Sequence, residues 1–184
     1  NARSVKMCLG GVCMRTIPIK ESLTVEFKSD IKRLGDSELI DSIIGIANTK
    51  GGVLYLGVED DGSVTGIHSQ HNDEIGLMAL IANRTVPSVS VRCEIIKEEN
   101  KEVMRIEIPV SRAIIATSED KIQRRRLKLD GTPENVPMYP FDINSRLSEL
   151  GLLDFSALAL TSADVTDLDP NERLRLRSII SMRK

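Results

Sequence analysis

Residues 36–66 read DSELIDSIIGIANTKGGVLYLGVEDDGSVTG. In the first half of this stretch, apolar side chains recur at steps of three and four, which predicts an amphipathic helix capped by Asp36 or Ser37. The glycine-containing segment 48–52 lacks the spacing of a phosphate-binding loop and follows a helix instead of opening one, so we interpret it as a helix stop. Residues 53–59 then predict a buried strand, which an Asp-Asp-Gly turn folds back into a second, short strand.

The flanking sequence adds more strands than helices. Residues 23–28 alternate between apolar and polar side chains, as in a half-buried strand. A second helix begins at Asn72 and must stop before Pro87. Two further strands, joined by a polar turn, are predicted at 89–97 and 102–109. We therefore expect an α+β fold in which a mixed, hairpin-rich sheet packs against two main helices.

The last third of the chain predicts a boundary. Prolines and a glycine interrupt residues 130–142, which indicates a loop-rich arm, and Asp169-Pro170 opens a well-capped helix near the end. We expect an N-terminal extension at 1–18, one domain at 19–142, and a C-terminal linker and helical tail at 143–184 that leads to a further region.

Composition narrows the function classes. The chain has 184 residues with 25 basic and 27 acidic side chains, so its net charge of −2 excludes a uniformly basic nucleic-acid coat protein. The charge is uneven, since residues 1–35 hold seven basic and three acidic residues whereas residues 36–77 hold one and eight. A membrane-spanning helix needs about 18 consecutive apolar residues, and no run of apolar residues in the chain is that long. The three cysteines lack CxxC spacing, so we expect no structural zinc site. We also expect a cytoplasmic protein with no small-molecule cofactor and no membrane partner.

A basic run near residue 125 is a candidate phosphate-binding strand. Arg124, Arg126 and Lys128 share one face of a strand, at a spacing that suits successive phosphates. Arg125 points to the other side, with two leucines, and a buried arginine there needs a carboxylate partner. The alternative is that these charges only protect an exposed edge strand.

Three glutamates are candidate metal ligands: Glu21, Glu26 and Glu59. A metal-dependent nuclease needs clustered acidic oxygens and a nearby lysine, and Lys28 shares a strand face with Glu26. If the strand that ends at Glu59 lies beside this one, Glu26 and Glu59 meet, and Glu21 joins them only if it lies outside the strand. The alternative is a surface pair of Glu26 with Lys28, and turn-flanking acids elsewhere. For His68 and His71, loop or capping positions are the better interpretation.

The string ESLTVEFK at 21–28, followed by IANTKGGVLYLGVEDDG at 46–62, resembles the Schlafen-type AlbA-like DNA-binding domain. The likeness covers about residues 19–142. It implies a module of bacterial and archaeal proteins that are labelled transcriptional regulators or helicase-related. In animal Schlafens a related domain is an RNA endonuclease with three acidic residues, whose counterparts here are Glu21, Glu26 and Glu59, although the third is usually Asp. That nuclease works as two lobes around a basic cleft, and a homodimer of this single lobe could supply the second.

Three functions follow from these observations. The first is a nucleic-acid-binding module of a transcriptional regulator that contacts the phosphate backbone of DNA or RNA without strong sequence readout. Its candidate phosphate contacts are Lys28, Lys32, Arg33, Lys50, Arg124, Arg126 and Lys128. The second is an endoribonuclease that depends on Mg²⁺ or Mn²⁺ and uses the three glutamates for metal binding and catalysis. The third is a dimerisation or scaffold module. We expect the chain to form a homodimer.

Overall fold

Residues 16–153, 164–167 and 169–182, with the backbone of 8–9 and 12–13, are described by a computed structural model of the chain. The strands are β1 (Cys8–Leu9), β2 (Val12–Cys13), β3 (Val25–Lys28), β4 (Gly52–Leu56), β5 (Thr85–Val86), β6 (Arg92–Glu98), β7 (Lys101–Ile108), β8 (Ala116–Thr117), β9 (Gln123–Leu127) and β10 (Pro133–Pro137). The helices are α1 (Asp36–Ala47), α2 (Glu74–Arg84), α3 (Pro140–Glu149) and α4 (Pro170–Ser181), with short 3-10 turns at Ser69–His71 and Val165–Asp167.

The central sheet is mixed, as the sequence predicts. Its strand order is β3-β4-β7-β6, with β3 parallel to β4 and the other pairs antiparallel. A parallel pair needs a crossover connection, and α1 provides it between β3 and β4. Together with the second helix and the C-terminal helix, this arrangement confirms the α+β fold class.

The two faces of the sheet carry separate cores. On one face, α1 and α2 cover the sheet, and Ile43, Leu54 and Ile106 are fully buried between the layers. On the other face, Phe27 and Tyr55 meet edge to face, with their ring centroids 6.1 Å apart, in a smaller cluster. The polar side of β3 is covered as well, because Arg125 of β9 packs on Glu26, and Glu26 is therefore less exposed than a half-buried strand predicts.

The segment after α1 stops the helix and redirects the chain. Gly51 has a φ of 67°, and a Cβ there would lie 2.6 Å from the backbone nitrogen of Val110, so the turn requires glycine. The Asn48 side chain donates to the carbonyls of Ile115 and Gln123, at 2.8 Å each, which ties the end of α1 to the chain that enters β9. The prediction of a helix stop is confirmed. The prediction of Asp36 or Ser37 as the N-cap is wrong, because the N-cap of α1 is Gly35, which has no side chain to make a capping hydrogen bond.

Residues 130–142 do not form the expected loop-rich arm. Strand β10 pairs with β9 along its whole length, and α3 begins at Pro140. The prolines that suggested a loop stand at the two ends of β10 and at the first position of α3, where a missing N–H removes no needed bond. The hairpin β9–β10 packs along α1.

Two smaller predictions have opposite outcomes. The short strand expected after the Asp-Asp-Gly turn is reduced to an isolated bridge between Val58 and Val64. Helix α4 begins as predicted, with the Asp169 side chain accepting from the N–H groups of Asn171 and Glu172. Among the helices in the described residues, none is long and apolar enough to cross a bilayer.

Candidate nucleic-acid interface

A buried arginine fastens the β9–β10 hairpin to the sheet. Arg125 is only 3% exposed, and its Nη1 pairs with Oε2 of Glu26. Its Nε donates to the carbonyl of Ser22, and its Nη2 donates to the carbonyl of Val25, both at 3.1 Å. The prediction that an inward-facing Arg125 needs a carboxylate partner is confirmed.

Glu21 joins this cluster from outside the strand. One of its carboxylate oxygens accepts the N–H of Phe27 at 2.8 Å and lies 3.9 Å from Nη2 of Arg125. Burial lowers the pKa of the Arg125 guanidinium, and the negative charge of Glu21 opposes that shift. Glu21 and Glu26 thus converge, and the positive charge between them is the guanidinium of Arg125.

Glu59 is placed apart from this pair. The parallel register sets Glu26 opposite Leu54, and Glu59 follows only after β4 has ended. Its carboxylate accepts from the Thr65 hydroxyl at 2.7 Å. In the described part of the chain, no three acidic, histidine or cysteine side chains are arranged to hold a metal ion. The three glutamates as folded do not fit Mg²⁺ or Mn²⁺, because two of them already share Arg125, and their catalytic role stays a prediction.

The seven candidate phosphate contacts fall in three surface depressions. Lys28, Lys32 and Arg33 line the first, Lys50 and Arg124 line the second, and Arg126 and Lys128 line the third. Because Arg124 and Arg126 are two residues apart on one strand, they lie on the same face and join the second depression to the third. The structure therefore brings four of the seven residues into one continuous strip, and the other three lie on a different loop.

Acidic neighbours pair with more than half of these cations. The ion pairs are Lys28 with Glu26 at 3.5 Å and Glu38 at 3.0 Å, Arg33 with Asp36 at 2.8 Å, Arg124 with Asp142 at 2.7 Å, and Arg126 with Glu134 at 2.8 Å. Lys32, Lys50 and Lys128 are exposed and form no ion pair with any described residue. The pairs of Arg33 and Arg126 are the more exposed ones and are worth about 0.2–1 kcal/mol each, so a phosphate can displace their carboxylates at little cost. Glu26 and Asp142 are largely buried and hold Lys28 and Arg124 more firmly.

The hairpin extends beyond the body of the domain. The Arg125 N–H donates to the Thr49 hydroxyl at 2.9 Å, which fixes the base of β9 beside α1. Towards the tip, Leu127 and Leu129 alternate with Arg126 and Lys128, as predicted, but both leucines are exposed because no core reaches this far. The hairpin therefore presents basic side chains on a strand whose base is fixed to the domain.

A buried acid positions the loop that carries Lys32 and Arg33. Asp30 is fully buried and accepts the N–H groups of Leu34 and His68 at 2.7 Å, and its carboxylate lies 2.9 Å from Nδ1 of His71. Sequence reasoning missed this residue, although an acid just before a turn is a known local signal. It also missed Arg146 and Phe141, which line the depression beside Lys50, because the segment leading into α3 was predicted to be a loop.

Comparison with known proteins identifies the family of the chain. The family described as Schlafen, AlbA_2 matches residues 21–130, more than half of the chain. The crystal structure of the DIP2311 protein from Corynebacterium diphtheriae is similar over 90% of this chain, with a TM-score of 0.57 and 21% identity, which shows a common fold only. The chain spans 35% of that protein.

A second structure shares less. The N-terminal domain of a RecG-related protein from Nitrosomonas europaea, solved by NMR in solution, aligns with 50% of this chain and 65% of its own, at 20% identity and a TM-score of 0.40. That TM-score does not establish a common fold. No curated protein matches the chain.

Proposed function

The chain belongs to the Schlafen, AlbA_2 family, and on that premise we propose that it is a nucleic-acid-binding module that contacts the phosphate backbone without strong sequence readout. The observation that carries the proposal is the hairpin: Arg125 fixes its base to the sheet, Arg126 and Lys128 are exposed along it, and Arg124 on the same strand pairs with Asp142 of α3. A positioned row of cations suits phosphates, which have the same spacing in every sequence.

The surrounding charges support the same function. Arg33 and Arg126 would exchange exposed carboxylates for phosphates at little cost, and Lys32, Lys50 and Lys128 would bind phosphates without losing an ion pair within the described residues. The chain has only five aromatic side chains, and Phe27 and Tyr55 lie in the core, so phosphate contacts rather than base stacking should provide most of the affinity. Binding should therefore be dominated by the salt-dependent release of counterions.

A salt titration of fluorescence anisotropy tests the proposal. With duplex DNA, the logarithm of the affinity should fall linearly with the logarithm of salt, by about −0.9 per phosphate neutralised. Lys128→Ala should reduce this slope by about one unit. The matched control is Lys97→Ala, an exposed lysine on β6, at the opposite edge of the sheet from β3. No binding to DNA or RNA, binding that salt does not change, or equal effects of the two variants would overturn the proposal.

The finer parts of the function are proposals of the same kind. We place the module, residues 19–142, in a cytoplasmic transcriptional regulator that acts as a homodimer. Light scattering of the full chain tests the dimer, and a mass of one chain at working concentration would contradict it.

A further inference from the structure

A cleft between α3 and the end of α1 has the composition of a nucleotide site. Its volume is about 360 Å³, and it is lined on one side by Asn48, Thr49 and Lys50 and on the other by residues of α3. This volume lies within the range of about 300–1,000 Å³ that is usual for small-ligand pockets. The cleft opens beside Arg124, at the base of the basic hairpin.

The charges in the cleft leave room for one anion. Besides Arg125, which is paired with Glu26, the lining holds three cations and two carboxylates: Lys50, Arg124, Arg146, Asp142 and Glu149. Arg124 pairs with Asp142 at 2.7 Å and Arg146 pairs with Glu149 at 3.2 Å, whereas Lys50 has no partner among the described residues. The excess of one positive charge matches one phosphodiester, which carries one negative charge.

The two arginines also keep unused donors. The Nε atoms of Arg124 and Arg146 are buried and make no hydrogen bond to any described residue. Unsatisfied buried donors cost free energy, so an acceptor in the cleft that reached an Nε would recover part of that cost. Arg146 is also held by the Ser111 carbonyl, which accepts from its Nη2 at 3.1 Å. Each guanidinium has five N–H donors, more than its present contacts use.

An aromatic ring lies at the edge of the cleft. Phe141, in the first turn of α3, is 78% exposed, and its ring is not held in the core. Exposed rings next to cations bind bases by stacking, since every base has an aromatic face, while the cations hold the adjacent phosphate. A base that is paired inside a duplex is not available for such stacking unless it leaves the helix.

We propose that this cleft binds one unpaired nucleotide of a single strand, with its phosphodiester at Lys50, Arg124 and Arg146 and its base against Phe141. This inference rests on the proposed function and deepens it, because it assigns the cleft to single-stranded nucleic acid and the hairpin to the phosphate backbone in general. The full chain should therefore bind single strands more tightly than its phosphate contacts alone provide.

Anisotropy with a fluorescein-labelled oligothymidylate and with its duplex, at one salt concentration, tests the assignment. Phe141→Ala should weaken single-strand binding by about tenfold and leave duplex binding unchanged. Phe141→Trp should keep or increase single-strand affinity. The matched control is Tyr139→Ala, since Tyr139 is an exposed ring two residues away that does not line the cleft. Lys50→Ala should reduce the salt slope for the single strand by about 0.7.

The outcomes separate this inference from the proposed function. If the unaltered chain binds neither probe, the proposed function fails. If it binds both probes and Phe141→Ala behaves like Tyr139→Ala, the cleft assignment is overturned while the proposed function stands. Loss of affinity in Lys50→Ala but not in Phe141→Ala would mean that the cleft holds a phosphate alone, which also overturns it. Circular dichroism checks that each variant is folded, as expected for changes at exposed side chains.

Discussion

Replacing Arg125 with methionine should destabilise the protein far more than the same change one residue later. Methionine has a similar length but no charge, so Arg125→Met leaves the buried Glu26 carboxylate, whose side chain is 8% exposed, without its closest partner. The change also removes the donors to the carbonyls of Ser22 and Val25. An unpaired buried charge is costly because the protein interior solvates it poorly.

The size of the effect follows from what remains. Removing one partner of a buried ion pair costs about 3–5 kcal/mol. Lys28 stays 3.5 Å from Glu26 and compensates in part, so we expect the lower end, about 3 kcal/mol. With a urea m-value of about 2 kcal/mol per M, the unfolding midpoint should fall by about 1.5 M.

Urea unfolding followed by circular dichroism measures this midpoint. The control is Arg126→Met, which removes an exposed arginine paired with Glu134 and should cost less than about 1 kcal/mol. The double variant Arg125→Met with Glu26→Gln should recover part of the loss, since it no longer leaves a bare carboxylate. Equal midpoints for Arg125→Met and Arg126→Met would refute the reasoning, because Arg125 would then not fasten the hairpin.

Three further predictions concern the rest of the domain. Gly57→Ala should cost about 2–4 kcal/mol in urea unfolding, because φ is 96° and the new Cβ would lie 2.6 Å from the backbone of Gly66. Gly35→Ala has open space around it but puts alanine at the N-cap of α1, so it should cost less, about 1 kcal/mol. Asp30→Ala should lower the free energy of unfolding by about 3 kcal/mol, because the N–H groups of Leu34 and His68 and the His71 ring lose their acceptor. Hydrogen exchange in the loop after Asp30 should increase, and unchanged exchange would contradict this. Burial raises the pKa of the Cys93 thiol to about 12. In a variant whose two N-terminal cysteines are serine, Ellman's reagent at pH 8 should therefore react only as fast as the protein unfolds. Immediate reaction of the native protein would show that the thiol is accessible.

Local patterns predicted the elements that depend on local physics. Apolar residues at steps of three and four through Ile43 and Ile44 located α1, and alternation located β6 and β7. Both patterns arise because the residues that face the core recur with the period of the helix or the strand. Alternation also placed Arg125 inside, and the cost of burying a cation then required an acid.

Long-range placement was outside the reach of those patterns. Whether Glu59 meets Glu26 depends on how far one strand slides along another, and the hydrophobic pattern sets which face a residue takes but not how far along the strand its neighbour lies. The pairing of Arg124 with Asp142 likewise depends on α3, which folds back from beyond the hairpin. The prolines misled for a related reason, since a proline breaks an element only where its N–H is needed.

The ion pairs give the basic surface an order of importance. A phosphate at Arg126 must displace Glu134, and a phosphate at Arg124 must displace Asp142, so each contact yields its Coulomb gain less the free energy of the pair that it replaces. Within the described residues, Lys50 has no ion pair to lose, and the charge of Lys128 acts only on the exposed Asp130, whose pKa is lowered mainly by hydrogen bonds from Thr132 and also by Lys128. The two lysines stand at the two ends of the strip that Arg124 and Arg126 connect. On the proposed function, the lysines without an ion pair should therefore contribute most of the affinity, and the arginines, held by their carboxylates in defined positions, should contribute mainly to the geometry of the bound strand. That division of roles requires a rigid strand between the two lysines, which the buried Arg125 provides.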